Sequence, residues 1–217
     1  MPDDQAPRRS RDPEHTRRAI LDAAIAEFAE KGFAAARVDD IAARTSTTKR
    51  MIYYYFQSKE RLFAAVLEEI YGGMRDAERA LAPDVLPPAE AMRRLVEATF
   101  DHHAAHPEFV RLVSVENILE AKNVAASPAI RGRNAAVIGT LSAVLARGER
   151  EGVFRPGIDP LDLHMLISGF CFYRVSNRHT LGAIFGRDLR EAEVAAAHRR
   201  MAVEMVLRYL APVSSAK

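Results

Sequence analysis

Thr47, Thr48, Lys49, Arg50, Tyr53 and Tyr54 gather hydroxyls, cations and amphipathic rings into one short stretch. That mixture suits a DNA groove, where hydroxyls and cations hold phosphate oxygens and the same donors read base edges. The competing reading is a plain helical hairpin with a polar solvent face. The residues between and beside them supply the scaffold. Met51, Ile52, Tyr55 and Phe56 recur at three- and four-residue intervals, which predicts a helix with one apolar face. Val38, Ile41 and Ala42 predict a short helix before it, and Thr45-Ser46-Thr47 the turn between the two. Ser58 is placed to cap a further helix whose apolar face begins at Leu62 and Phe63. Two short helices joined by a tight turn, the second with a polar exposed face, form a helix-turn-helix pattern. On this reading Thr47, Thr48, Lys49, Arg50 and Tyr53 face the groove, and Tyr54 and Lys59 contact phosphates.

The run from Thr16 to Tyr71, with AILDAAIAEFAEKGF, VDDIAAR, MIYYYF and SKERLFAAV in order, resembles the DNA-binding domain of TetR-family transcriptional regulators. Two positions depart from that family's pattern. Ser46 stands where the family usually has a turn glycine, which predicts modest backbone strain. Arg37 stands where Ser or Thr is usual, exchanging a helix cap for a cation that seeks phosphate. The resemblance implies an all-α fold with an N-terminal three-helix helix-turn-helix domain and a C-terminal helical bundle that binds a small effector. It further implies a homodimer built by the last two long helices, a double-stranded DNA operator and, in most members, repression. The C-terminal segments HPEFVRLVSVENIL and GVFRPGIDPLDLHMLISGF are similar to a subgroup that regulates catabolic genes, pyrimidine and nicotinate pathways among them, which points to an anionic or heteroaromatic effector.

Composition sets outer bounds. With 217 residues and 48% hydrophobic content, the chain can fill one large or two modest cores. A net charge of +2 is too small for a polybasic nucleic-acid binder, so the positive field must be local. Between Ile41 and Leu62, Arg44, Lys49, Arg50, Lys59 and Arg61 stand against Glu60 alone. The lone Cys171 rules out an intrachain disulfide and reads as a buried, inert thiol in a reducing cytoplasm. No signal-peptide core and no run of roughly 18 apolar residues occurs, which predicts a cytoplasmic protein with no membrane partner.

In chain order, residues 1–12 are a polar arm whose Arg8-Arg9-Ser10-Arg11 cluster is either a frayed end or a minor-groove arm. Residues 13–71 form the DNA-binding domain, its first helix ending at Gly32 and its last at Tyr71 before Gly72-Gly73. Residues 72–88, containing LAPDVLPPAE, read as the linker. Residues 89–217 form the effector-binding and dimerisation domain. The periodicity gives about nine helices, four of them N-terminal. The helix from Pro160 to about Leu181 carries Met165 and Phe172 opposite Leu163 and Phe170. A helix apolar all round is buried all round, so it and the last helix, with Val194, Met201, Met205 and Leu210, should form a two-fold four-helix interface.

Polar residues on greasy helix faces sharpen the effector site. Glu116 interrupts the face of Phe109, Leu112, Val113 and Leu119, and Arg174 and Asn177 fall on the face of Leu163, Ile167 and Phe170. Buried charge is costly unless paired. Glu116 and Arg174 therefore either neutralise each other, or line a cavity in which Arg174 meets an anionic or carbonyl-bearing ligand, an arginine fork matching a carboxylate bidentately, or simply lie at the surface. His102 and His103 could supply ligand hydrogen bonds. His102 and His106 have a metal-compatible spacing, but no carboxylate or cysteine cluster accompanies them, so neither a metal nor a cofactor is expected. No phosphate loop, nucleophile elbow or zinc-protease spacing is present, which argues against an enzyme. The alternative function is a regulator of the same fold that answers to protein partners or acts constitutively.

Overall fold

The computed structural model describes residues 12–212. Among them every regular element is helical: α1 (Pro13–Ala35), α2 (Val38–Ala43), α3 (Lys49–Phe56), α4 (Lys59–Arg79), a 3-10 turn (Pro83–Val85), α5 (Pro88–Ala105), α6 (Pro107–Ile118), α7 (Lys122–Ala126), α8 (Pro128–Arg150), α9 (Pro160–Ser176), α10 (Arg178–Phe185) and α11 (Ala192–Leu210). The Arg8–Arg11 cluster lies outside the described residues. The chain divides into two compact units after Val66, within α4 and ahead of the Pro-rich stretch.

In the first unit the local signals match the elements. Asp12 accepts a bond from the Glu14 amide and Pro13 opens α1. Gly32, at φ 73°, turns the chain out of the helical path before a last turn to Ala35. The core joins Ile20, Leu21, Ala24 and Phe28 of α1 to Ile41 of α2, Ile52 and Phe56 of α3, and Leu62 and Phe63 of α4. The Phe28 and Phe63 rings meet edge-on at 5.0 Å, a geometry favoured by the ring quadrupoles. Met51 departs from its expected core position and stands 36% exposed.

The second unit departs from expectation at three joints. First, α4 does not end at Gly72-Gly73 but runs on to Arg79. A Cβ at Gly72 would lie 2.5 Å from Arg133 Nη1. Gly72 is small so that Arg133 can approach and donate to the Glu68 carbonyl at 3.0 Å. The Pro-rich stretch beyond α4 is no free linker, because Arg147 clamps it by donating to the carbonyls of Pro83, Asp84 and Leu86. Second, α6 stops at Ile118 because Glu120 and Ala121 adopt φ 57° and 56°, and α7 starts anew beyond them. Third, the helix from Pro160 breaks at Asn177, and α10 succeeds it. These breaks give eleven α-helices among the described residues instead of about nine. The second core gathers Leu95, Val96 and Phe100 of α5, Val144 of α8, Leu163, Ile167 and Cys171 of α9, and Val203, Val206 and Leu210 of α11. Burial holds the Cys171 thiol protonated, raising it to about 12.

Candidate nucleic-acid interface and effector cavity

In the first unit, α2 and α3 are fixed by caps at both ends of their turn. Thr45 donates its hydroxyl to the Ala42 carbonyl at 3.2 Å, and the Arg44 amide reaches Asp40 and Ile41. With α2 closed in this way the turn needs no left-handed residue, and Ser46 is not among the positive-φ residues. The strain expected there is absent. It sits instead at Gln57, φ 66°, whose amide closes α3 on the Tyr53 carbonyl at 2.8 Å. Thr48 caps α3 by accepting from the Met51 amide at 3.3 Å, and Ser58 caps α4 by accepting from Arg61 at 3.2 Å. Around these caps α3 presents Lys49, Arg50, Tyr53 and Tyr54 to solvent, Tyr54 at 75% exposure, with Thr47 half-buried at the turn.

The electrostatics differ from the sequence count. Lys49 pairs with Asp39 at 3.0 Å. Arg44 is bound to Glu30 at 2.6 Å and Glu27 at 3.0 Å, and is not a phosphate-seeking cation. Lys59 lies 4.8 Å over the Phe33 ring and donates to the Ala34 carbonyl at 3.3 Å, which leaves donors of its ammonium for a phosphate. Arg37 is exposed at the N-cap of α2 and makes no side-chain cap bond. Its amide is taken by Glu27, which sequence reasoning missed. Glu27 is fully buried, accepts from Lys31 at 2.8 Å, meets the Arg37 amide at 3.5 Å, and lies in ion-pair contact with Arg44 at 3.0 Å through an Oε2 that accepts no hydrogen bond. One carboxylate on α1 thus holds both ends of α2. Its signal was a charge three residues after Ala24 on the apolar face of α1.

In the second unit Glu116 and Arg174 are buried as anticipated, at 2% and 9% exposure, but they do not pair. Glu116 accepts from the amides of Asn123 at 2.6 Å and Val124 at 2.9 Å and from the Asn123 side chain at 3.0 Å, so it caps α7. Arg174 donates Nε to His198 at 3.2 Å and Nη2 to the Leu189 carbonyl, with its guanidinium 4.7 Å over Phe100. Asn177 spends its amide group on the Tyr173 carbonyl at 3.3 Å and Ser176 at 2.8 Å, at the joint between α9 and α10. These three candidate effector residues are engaged by backbone and side-chain groups of their own unit.

His102 and His103 have different company. His103 is buried, and its Nδ1 lies 2.7 Å from the Thr99 carbonyl, which requires the proton on Nδ1. His102 stacks on His106 with centroids 4.5 Å apart, and its Nε2 is buried without a partner. Burial, then the charges of His106, His103 and Arg75, pushes His102 down to about 4. Burial also lowers His103 and His164. The charge of Arg75 on α4 acts on all three in the same direction. Arg75 is 6% exposed and bound to Glu78 at 2.6 Å. Burial lowers Arg75 and raises Glu78 despite their contact. Glu78 borders a small cavity of about 20 Å³ with Leu95, Thr99, Val137, Thr140 and His164. It also borders an adjoining cleft of about 140 Å³, which Arg75 and Arg133 line. Apolar walls with a few convergent polar groups are the usual form of a small-molecule site.

A short capped helix with an exposed polar and aromatic face, coupled in one chain to a helical bundle with a polar-floored cavity, defines a helix-turn-helix regulator. Residues 20–66 match the model for bacterial regulatory proteins of the tetR family, and residues 88–206 match the tetracyclin repressor-like C-terminal domain. The chain belongs to the TetR family of transcriptional regulators. It is 34% identical to the HTH-type transcriptional repressor NicS of Pseudomonas putida, over 93% of this chain and 95% of that one. It is 29% identical to the HTH-type transcriptional regulator RutR of Escherichia coli over 85% of each. Among solved structures, the transcriptional regulator SCO4942 from Streptomyces coelicolor superimposes with a TM-score of 0.69 at 29% identity, over 90% of this chain and 98% of that one.

Proposed function

We propose that the protein is a repressor that binds an imperfect palindrome as a homodimer and releases it when a small molecule enters the cavity of the second unit. The observation that carries this reading is the exposed face of α3, held by the Thr48 cap and the Glu27 fastening. Arg50, Tyr53 and the Lys49–Asp39 pair face base edges, with Thr47 and Thr48 at the entrance to the helix. Arg37, Tyr54 and Lys59 serve phosphates.

Dimerisation is supported by the large apolar side chains left in solvent on the last three helices. Leu161, Met165 and Tyr173 of α9, Ile184 and Phe185 of α10, and Met201 of α11 are all more than half exposed. A monomer rarely leaves so much apolar surface open. Val194 and Leu210 are buried in the chain's own core and so do not serve that interface.

The effector site centres on Arg75, Glu78, Thr99, Thr140 and His164, with His103 bonded to the Thr99 carbonyl beside it. His102 adjoins the site through its ring contact with His103, and Glu116, Arg174 and Asn177 act on the framework. The name of the Pseudomonas putida relative, a repressor, supports the direction of control. A ligand releases DNA only if it favours one state of the dimer; a coupling of roughly 1–3 kcal/mol weakens operator binding about 5- to 150-fold. Anisotropy titration of DNA from upstream of the protein's own gene tests the reading. Salt-sensitive binding with two protomers per palindrome supports it, and binding without sequence preference refutes it.

A further inference from the structure

We propose that the cavity's ligand is a small organic carboxylate, anchored by the side-on edge of the Arg75 guanidinium. The inference rests on the effector reading of this cavity and names the chemistry of the same site.

A guanidinium offers two bidentate edges, and Nε with Nη2 forms the side-on one. In Arg75, Nη1 is given to Glu78 at 2.6 Å. Nη2 reaches only the Met74 sulfur at 3.3 Å, and a thioether is a weak acceptor. Nε is buried and has no partner at all. The edge that fits a carboxylate is therefore the edge that meets no oxygen. It belongs to a side chain only 6% exposed, lining the cleft that adjoins the apolar cavity. Leaving such a donor unmatched carries a desolvation penalty, which an entering acceptor recovers.

The surroundings favour an anion over a cation. The imidazoles that feel the Arg75 charge, His102 and His103 from α5 and His164 from α9, are neutral at neutral pH, since each is lowered from its ordinary value. Glu78 satisfies one end of the guanidinium and leaves the other unneutralised. Arg133 from α8 adds a second positive charge to the cleft, and Asp84 a second negative one at its rim. Ala82, Pro83, Ala136 and Val137 give the cleft an apolar wall for the body of the ligand. Arg75 and Glu78 also lie on α4, the one helix that contributes residues to both units. A carboxylate that draws Arg75 away from Glu78 would act on that helix directly.

Calorimetric titration of the full-length protein with benzoate, hexanoate, and the amide and amine of each skeleton tests the assignment. Carboxylates should bind, the matched amides and amines should not, and Arg75→Lys, which keeps the charge but loses the planar edge, should weaken carboxylate binding about tenfold or more. Glu78→Gln, which removes the competing carboxylate, should tighten it. Carboxylates binding Arg75→Lys as well as wild type would overturn the anchor. Amides or amines binding in their place would overturn the ligand class while leaving the effector cavity standing. If none of the series bound, the cavity reading would fall together with the proposal.

Discussion

Replacing Glu27 by Ala should loosen the DNA-binding unit more than any surface change on α3. The carboxylate is fully buried and takes Lys31 at 2.8 Å and Arg44 at 3.0 Å. The charge-assisted bond accepted from Lys31 contributes about 1.5 kcal/mol or more, and the lost buried methylene adds about 0.8 kcal/mol. Two effects offset part of this. The desolvation of a buried carboxylate is regained, and Lys31 and Arg44 are not stranded. They stay over a third exposed and keep Asp40 and Glu30 as second partners. The net loss is then roughly 2 kcal/mol rather than the roughly 3–5 kcal/mol of a fully buried broken pair. In a unit of this size that lowers the melting temperature by roughly 8–16 °C. Glu27→Gln, which keeps the shape and some hydrogen bonding, should lose about half as much. Chemical denaturation followed by tyrosine fluorescence or helical circular dichroism reads both. Ala and Gln variants within about 0.5 kcal/mol of wild type would refute the argument that this carboxylate fastens α2.

Three further perturbations have defined signs. Gly73→Ala should stabilise the protein by about 1 kcal/mol, because an added Cβ there meets nothing within 4 Å on a continuous α4; a destabilised variant in a melting experiment would argue that the helix ends at the glycines. For pH, the folded state holds His102 near 4, below its ordinary 6.5. The unfolded chain therefore binds the extra proton, and stability that is full above pH 6.5 is lost progressively as pH falls toward 4. His102→Gln should flatten the melting-temperature profile in that window, and an unchanged slope would count against a neutral buried imidazole. Lys59→Ala should weaken binding to all DNA sequences and make the salt dependence shallower by about one unit. An altered base preference at constant salt slope would reassign Lys59.

The helix-turn-helix was legible because its information is local. Periodic apolar positions, the Thr48 and Ser58 caps and the tyrosines of α3 lie within one short stretch, and short-range rules read them directly. What failed was long-range. Gly72-Gly73 carries the composition of a helix end, and only the approach of Arg133 from α8 explains a glycine inside a helix. Ending α4 there places Arg75 and Glu78 in a linker and hides the cavity floor. Helical spacing marks Glu116 and Arg174 as buried charges, yet their partners are the amides of Asn123 and Val124 and the carbonyl of Leu189. Backbone groups at a helix start or in a loop leave no mark in a side-chain pattern. The local charge count around α3 likewise omits Asp39, Glu30 and Glu27, which sit earlier in the chain and neutralise Lys49 and Arg44.

The central claim is that α3 is the element that reads DNA. Selection from a pool of random duplexes, run in parallel with wild type and Arg50→Ala, measures this with no operator sequence assumed. Wild type should enrich an imperfect palindrome with half-sites set by two recognition helices in successive major grooves. Arg50→Ala should stay folded and dimeric, keep salt-dependent non-specific binding, and lose preference at matching positions of both half-sites. Enrichment of the same palindrome by both proteins, or of none by wild type, would contradict the account.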